Sequence, residues 1–113
     1  MEYIGSCHCE SVKFTLQTDL ENVGQCNCSF CKRRNAIMAL EKKEAIKIMH
    51  GVENLNLYQF NTNVAKHYFC KKCGIWVYSN RRFDPSGIGV NLGCIDEINT
   101  FELKVKLADN IHK

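Results

Sequence analysis

The chain has 113 residues and a formal net charge of +3, the length of one domain with room for a modest core. Its basic residues form no long run, so nothing demands a nucleic-acid or membrane surface. No stretch approaches the roughly 18 apolar residues of a membrane span.

The opening Met1-Glu2-Tyr3-Ile4-Gly5-Ser6-Cys7 has neither the basic start nor the apolar run of an export signal. The expectation is a cytoplasmic protein whose thiols stay reduced. With a single proline and no Gly/Ser tract, the sequence offers no linker, so residues 1–113 read as one domain.

Met1 to Ile4 reads as a short strand running into Gly5. Ser11 to Thr18 alternates apolar and polar residues, the pattern of a half-buried strand. Asp19 to Asn22 make a turn. Ser29 is suited to N-cap a helical turn through Phe30 to Arg34, placing Cys31 where the helix dipole favours thiolate. Ala36 to Leu40 is a short apolar run, more strand than helix by its length. Ala45 to Met49 and Leu55 to Phe60 alternate again, and Asn61-Thr62-Asn63 turns the chain. Lys66 to Phe69 lead to a cysteine pair, followed by a strand Ile75 to Tyr78. Asn80 to Gly87 form a loop around Pro85, and Gly89 to Ile95 form a last core strand. Phe101, Leu103, Val105 and Leu107 alternate near the end. Many short strands separated by turn signals argue for a mainly β domain with minor helix.

Eight cysteines in 113 residues suggest either a disulfide framework or metal sites. The C-x-C and C-x-x-C clustering and the expected reducing compartment favour metal. Cys7-His8-Cys9 and Cys70-Lys71-Lys72-Cys73 are two pairs, which on meeting in space complete a closed four-thiolate zinc site. Cys26-Asn27-Cys28-Ser29-Phe30-Cys31 offers three thiols in six residues, the ligand count of a catalytic zinc with one open position. Spacing alone leaves another pairing open, in which the first pair shares a metal with part of the Cys26–Cys31 group. The division chosen leaves one complete four-ligand set and one compact three-ligand set. A structural zinc with Cys94 or a histidine as fourth ligand is the plainer reading of the three-cysteine loop.

Lys32, Arg33 and Arg34 follow that loop directly and could hold the carboxylates of an anionic thiol, or form a solvated patch. Cys94, alone in an apolar stretch, reads as a small buried hydrophobe. His8 and His67 are expected to shape the structural site rather than to ligate, and Trp76, Tyr58, Tyr68 and Phe69 to be core. No Ser-His-Asp triad, phosphate loop or paired-carboxylate site is evident.

Gly5-Ser6-Cys7-His8-Cys9, Cys26-Asn27-Cys28-Ser29-Phe30-Cys31-Lys32-Arg33, Phe69-Cys70-Lys71-Lys72-Cys73-Gly74 and Gly89-Val90-Asn91-Leu92 together resemble the glutathione-dependent formaldehyde-activating enzyme family, also called the centromere protein V family. The resemblance covers nearly the whole chain. It implies a mainly β, Mss4-like fold, a structural zinc on Cys7, Cys9, Cys70 and Cys73, and a catalytic zinc on Cys26, Cys28 and Cys31. It further implies a carbon–sulfur lyase that condenses glutathione with formaldehyde. Glu10 and Asn35 stand where the family usually has glycine.

Two other functions compete. One is a non-catalytic zinc-stabilised module for protein or nucleic acid, in which the Cys26–Cys31 zinc is closed and inert. The other is a thiol-redox enzyme working through Cys28 and Cys31 without zinc.

Overall fold

In Lys13–Gln17, alternation buries Phe14 and Leu16 completely and leaves Lys13 and Gln17 exposed, as a strand with one face on the core requires. The structure, a computed structural model, describes residues 1–60, 63–81 and 84–108. Asn61 and Thr62 of the expected turn, and Arg82 and Phe83 of the Pro85 loop, lie outside the described residues.

Among the described residues, strands β1 (Glu2–Ser6), β2 (Lys13–Gln17), β3 (Val23–Cys26), β4 (Met38–Lys42), β5 (Ile46–His50), β6 (Leu55–Tyr58), β7 (Lys66–Cys70), β8 (Trp76–Asn80), β9 (Gly87–Asn91) and β10 (Lys106–Ala108) accompany one short α-helix, α1 (Ser29–Arg34). The mainly β expectation holds. A three-stranded sheet runs β1-β2-β5 and a seven-stranded sheet β10-β3-β4-β9-β8-β7-β6. Every pair is antiparallel except β10 with β3.

The core joins both sheets: Phe14 and Leu16 from β2 cluster with Val77, Ile88, Val90, Leu92 and Ile95. Full burial of each such side chain contributes about 1.5–3 kcal/mol. The Thr18 hydroxyl, at the end of β2, donates to Glu41 of β4 and ties the two sheets. At Gly51, which follows β5, φ is +87° and an added Cβ would sit 1.7 Å from the Ser11 carbonyl oxygen, so only glycine fits.

Several expectations shift. β4 begins two residues after Ala36, at Met38. The last core strand ends at Asn91, whose side chain accepts from Gly93 N–H and starts a single 3₁₀ turn over Leu92–Cys94. The alternation near the end forms strand only over Lys106–Ala108. Phe101 sits in a 3₁₀ turn and is 95% exposed.

Candidate metal centre and adjoining cavity

Two clusters of sulfur atoms gather, and they divide the cysteines as the sequence suggests. Cys7, Cys9, Cys70 and Cys73 bring their sulfurs within 4.8 Å of one another, and Cys26, Cys28 and Cys31 do the same.

The four-sulfur cluster is made by two backbone loops, each of which turns one N–H onto the oxygen and another onto the sulfur of its first cysteine. In the first, Glu10 N–H donates to Cys7 O, and Val12 N–H to Cys7 Sγ at 3.4 Å. In the second, Gly74 N–H donates to Cys70 O, and Lys72 N–H to Cys70 Sγ at 3.4 Å. Gly74 takes φ +78° to turn the chain. Cys9 Sγ lies 3.7 Å from both Cys7 Sγ and Cys70 Sγ. Zinc–sulfur bonds of about 2.3 Å in a tetrahedron place sulfurs about 3.8 Å apart. Four soft sulfurs at that spacing, two of them already accepting backbone N–H groups, fit zinc. Burial pushes the Cys7 thiol up to about 11, while the Ser11 hydroxyl beside Cys9 holds it down to about 6. His8 is exposed and belongs to neither cluster.

The three-sulfur cluster sits where β3 passes into α1. Cys28 N–H donates to Cys26 Sγ at 3.5 Å, and Cys31 N–H to Cys28 Sγ at 3.4 Å. The N-cap is therefore Cys28 rather than Ser29: a sulfur that accepts the first-turn N–H also faces the other two sulfurs. Neither Cys94 nor a histidine joins this cluster among the described residues. Cys94 is instead buried, with its sulfur 3.8 Å from the Trp76 carbonyl oxygen, and burial raises its thiol to about 12. It packs as expected.

The three basic residues part company. Lys32 and Arg33 are exposed, and Arg33 donates to Ser29 O at 2.7 Å. Arg34 turns inward. Its Nη2 donates to Cys31 Sγ at 3.2 Å and its Nη1 to Ser79 Oγ at 3.4 Å. The guanidinium lies 3.7 Å from the Trp76 ring centroid and 4.7 Å from that of Phe30, a cation–π sandwich. A hydrogen bond from the Cys31 thiol to the Cys26 sulfur, and then burial, push the Cys31 thiol far above its ordinary value, while burial lowers that of Arg34.

Next to Arg34 is a cavity of about 270 Å³ lined by Phe30, Arg34, Tyr58, His67, Phe69, Gly74 and Trp76. Strand geometry builds it. On β7, His67 and Phe69 share one face and Tyr68 and Cys70 the other. Tyr68 stacks on Tyr78 across the second face, with ring centroids 4.8 Å apart. On β8, a register shift pairs Trp76 with Phe69 but Tyr78 with Tyr68. That bulge puts Trp76 and Ser79, three residues apart, on the same face, and Trp76 Nε1–H donates to Ser79 Oγ at 2.8 Å.

Two sequence expectations are corrected here. His67 does not serve the four-sulfur site: an odd spacing from Cys70 along β7 sends it to the cavity, with Nδ1 2.7 Å from Ser79 Oγ. Tyr58 is not core but 46% exposed at the cavity rim, its ring 5.3 Å from Phe30. The signal for His67 was in the parity of the strand.

Comparison with known proteins fits this geometry. Residues 2–110 match the family of the glutathione-dependent formaldehyde-activating enzyme. A protein of Halomonas elongata, provisionally named a glutathione-dependent formaldehyde-activating enzyme, is 27% identical over 88 residues; the match spans 68% of this chain but only 56% of that relative. The crystal structure of a Rhodobacter sphaeroides protein superposes with a TM-score of 0.87 at 38% identity, covering 96% of this chain and 100% of that one. With a match across nearly its full length, the chain belongs to the glutathione-dependent formaldehyde-activating enzyme family.

Proposed function

We propose that this protein is a zinc-dependent carbon–sulfur lyase that joins a glutathione-like thiol to formaldehyde or a related small aldehyde. The observation that supports this most is the three-sulfur group Cys26, Cys28 and Cys31, next to a cavity and with no fourth ligand among the described residues. Zinc held there would supply an open position that lowers the pKa of an incoming thiol. A second zinc, on Cys7, Cys9, Cys70 and Cys73, would be structural. A reducing, cytoplasmic setting belongs to the same reading, because ligand thiols must stay unoxidised.

The reaction forms one bond, from the thiol sulfur to the aldehyde carbon. The carbonyl π pair moves to oxygen, which takes up the proton that the thiol gives up. Lys32 and Arg33, exposed at the end of α1, would meet the carboxylates of glutathione. Arg34 acts inward, donating to Cys31 Sγ and fixing that sulfur against Ser79 and Trp76. The rings of Phe30, Phe69 and Trp76 line the cavity and give it an apolar wall.

Titration calorimetry with glutathione tests the reading, on zinc-loaded wild type and on Cys28→Ser that retains its structural zinc. Binding is expected to the wild type and not to the variant. Absence of binding to both, with two zincs present in the wild type, would overturn it and leave a non-catalytic zinc-stabilised module.

A further inference from the structure

Among the described residues, the buried side-chain polar atoms without a hydrogen-bond partner are Arg34 Nε and His67 Nε2. Both side chains line the same cavity. An unsatisfied buried donor costs about 1–3 kcal/mol, so two on one cavity mark a place that a ligand completes.

Hydrogen-bond accounting identifies what His67 offers. Ser79 Oγ has two lone pairs and one hydrogen. Trp76 Nε1–H and Arg34 Nη1–H can only donate, and together they occupy both lone pairs. The Ser79 hydrogen is then left for His67 Nδ1, 2.7 Å away. Nδ1 is thereby an acceptor, and the proton of a neutral ring must sit on Nε2. The ring is neutral: burial, and then the Arg34 charge, lower His67 to about 4. Phe30 and Phe60 pack around the ring, with centroids 4.4 and 5.7 Å away, and hold it in this orientation. The edge opposite Ser79 therefore presents a fixed N–H donor. With no acceptor among the described residues, it is suited to a neutral oxygen that gains negative charge.

We propose that His67 Nε2–H, the unpartnered donor of a ring that lines the cavity, hydrogen-bonds the carbonyl oxygen of the substrate and stabilises the charge that develops there as the carbon–sulfur bond forms. This rests on the lyase reading, and it names the group that receives the π pair. The cavity also has room beyond formaldehyde. One water needs about 10–15 Å³ against the 270 Å³ available, so the carbonyl partner can carry an apolar group among the rings.

The test compares three variants, each checked for zinc content and for an unchanged circular dichroism spectrum. His67→Gln keeps an N–H donor near the ε position, His67→Asn keeps only the group facing Ser79, and His67→Phe keeps only the ring. Loss of kcat by about 100-fold is expected for Asn and Phe, with KM for the thiol little changed and partial recovery in Gln. Asn as active as Gln, or more so, would reveal a purely structural role and overturn the proposal. A second readout needs no turnover. Long-range ¹H–¹⁵N correlation spectra of ¹⁵N-histidine-labelled protein should show the Nε2–H tautomer of His67. Its resonance should move on titration with acetophenone, a carbonyl compound that forms no stable thiol adduct. The Nδ1–H tautomer, or an unmoved resonance at saturation, would refute the inference. A wild type that shifts with acetophenone but does not speed thiol–aldehyde adduct formation above the uncatalysed rate would instead sink the lyase reading and leave the donor standing.

Discussion

Replacing Cys9 by serine isolates what a metal at the four-sulfur cluster does for the fold. Cys9 is exposed, so the change opens no core cavity, unlike one at Cys7 or Cys70, which are 1% and 0% exposed. Cys9 and Cys70 are 61 residues apart in sequence yet their sulfurs lie 3.7 Å apart. Cross-linking a loop of that length removes about 4 kcal/mol of entropy from the unfolded chain. Structural zinc binding is worth about 10–16 kcal/mol in small peptides, and a domain has only about 5–15 kcal/mol of net stability. Cys9→Ser should therefore lose at least about 4 kcal/mol and bind one zinc fewer. With a urea slope of about 1–3 kcal/mol per M, the midpoint falls by about 1 M or more. Equilibrium unfolding followed by circular dichroism, alongside zinc analysis by atomic emission, makes the measurement. A variant lacking that zinc but unfolding at the wild-type midpoint would refute the claim that a metal at this cluster stabilises the fold.

Glu10 has φ +64°, a conformation that costs an L side chain about 1–2 kcal/mol. Its one ion pair, to Lys13 at 3.8 Å, is exposed and contributes little. Glu10→Gly should stabilise by about 1 kcal/mol and raise Tm by about 4 °C, a result that a falling Tm would contradict. Gly51→Ala should destabilise by at least about 2 kcal/mol, since its Cβ would meet the Ser11 carbonyl at 1.7 Å with φ at +87°; a wild-type melting curve would show that the turn adapts. His67 is lowered to about 4 in the fold against about 6.5 unfolded, so the unfolded chain binds the extra proton between those values. Stability should fall as pH drops from about 6.5 to 4, by on the order of 3 kcal/mol in total. His67→Gln should flatten that decline, and parallel profiles for the two proteins would rule it out.

Much of this was legible from residues alone, because period-two alternation and cysteine spacing are local signals. Phe14 and Leu16 declared their strand, and the paired thiols declared their clusters. What escaped depended on relations between strands. His67 lay near Cys70 in sequence, but odd parity on β7 sent it to the opposite face. Trp76 joined Ser79 through a bulge that no spacing rule reveals. Arg34 resembled its neighbours Lys32 and Arg33 until α1 turned it toward Cys31 and between two rings. Phe101 misled because its alternation ran through a 3₁₀ turn with no sheet to bury it. Glu10 and Asn35, where the resemblance led to an expectation of glycine, both take positive φ, +64° and +48°, and asparagine meets that conformation at a helix C-cap more easily than glutamate does in a loop.

The guanidinium over the Trp76 ring has a practical consequence. The chain contains one tryptophan, and its indole touches Arg34, which in turn holds Cys31. Its N–H is tied to the same serine that orients His67. Excited selectively over the four tyrosines, the indole is thus a single fluorophore beside the arginine that holds the three-sulfur cluster. Metal loading, thiol arrival and occupation of the aromatic cavity all alter the charge or polarity around that indole. The protein carries its own optical probe, placed beside the residues of the proposed chemistry.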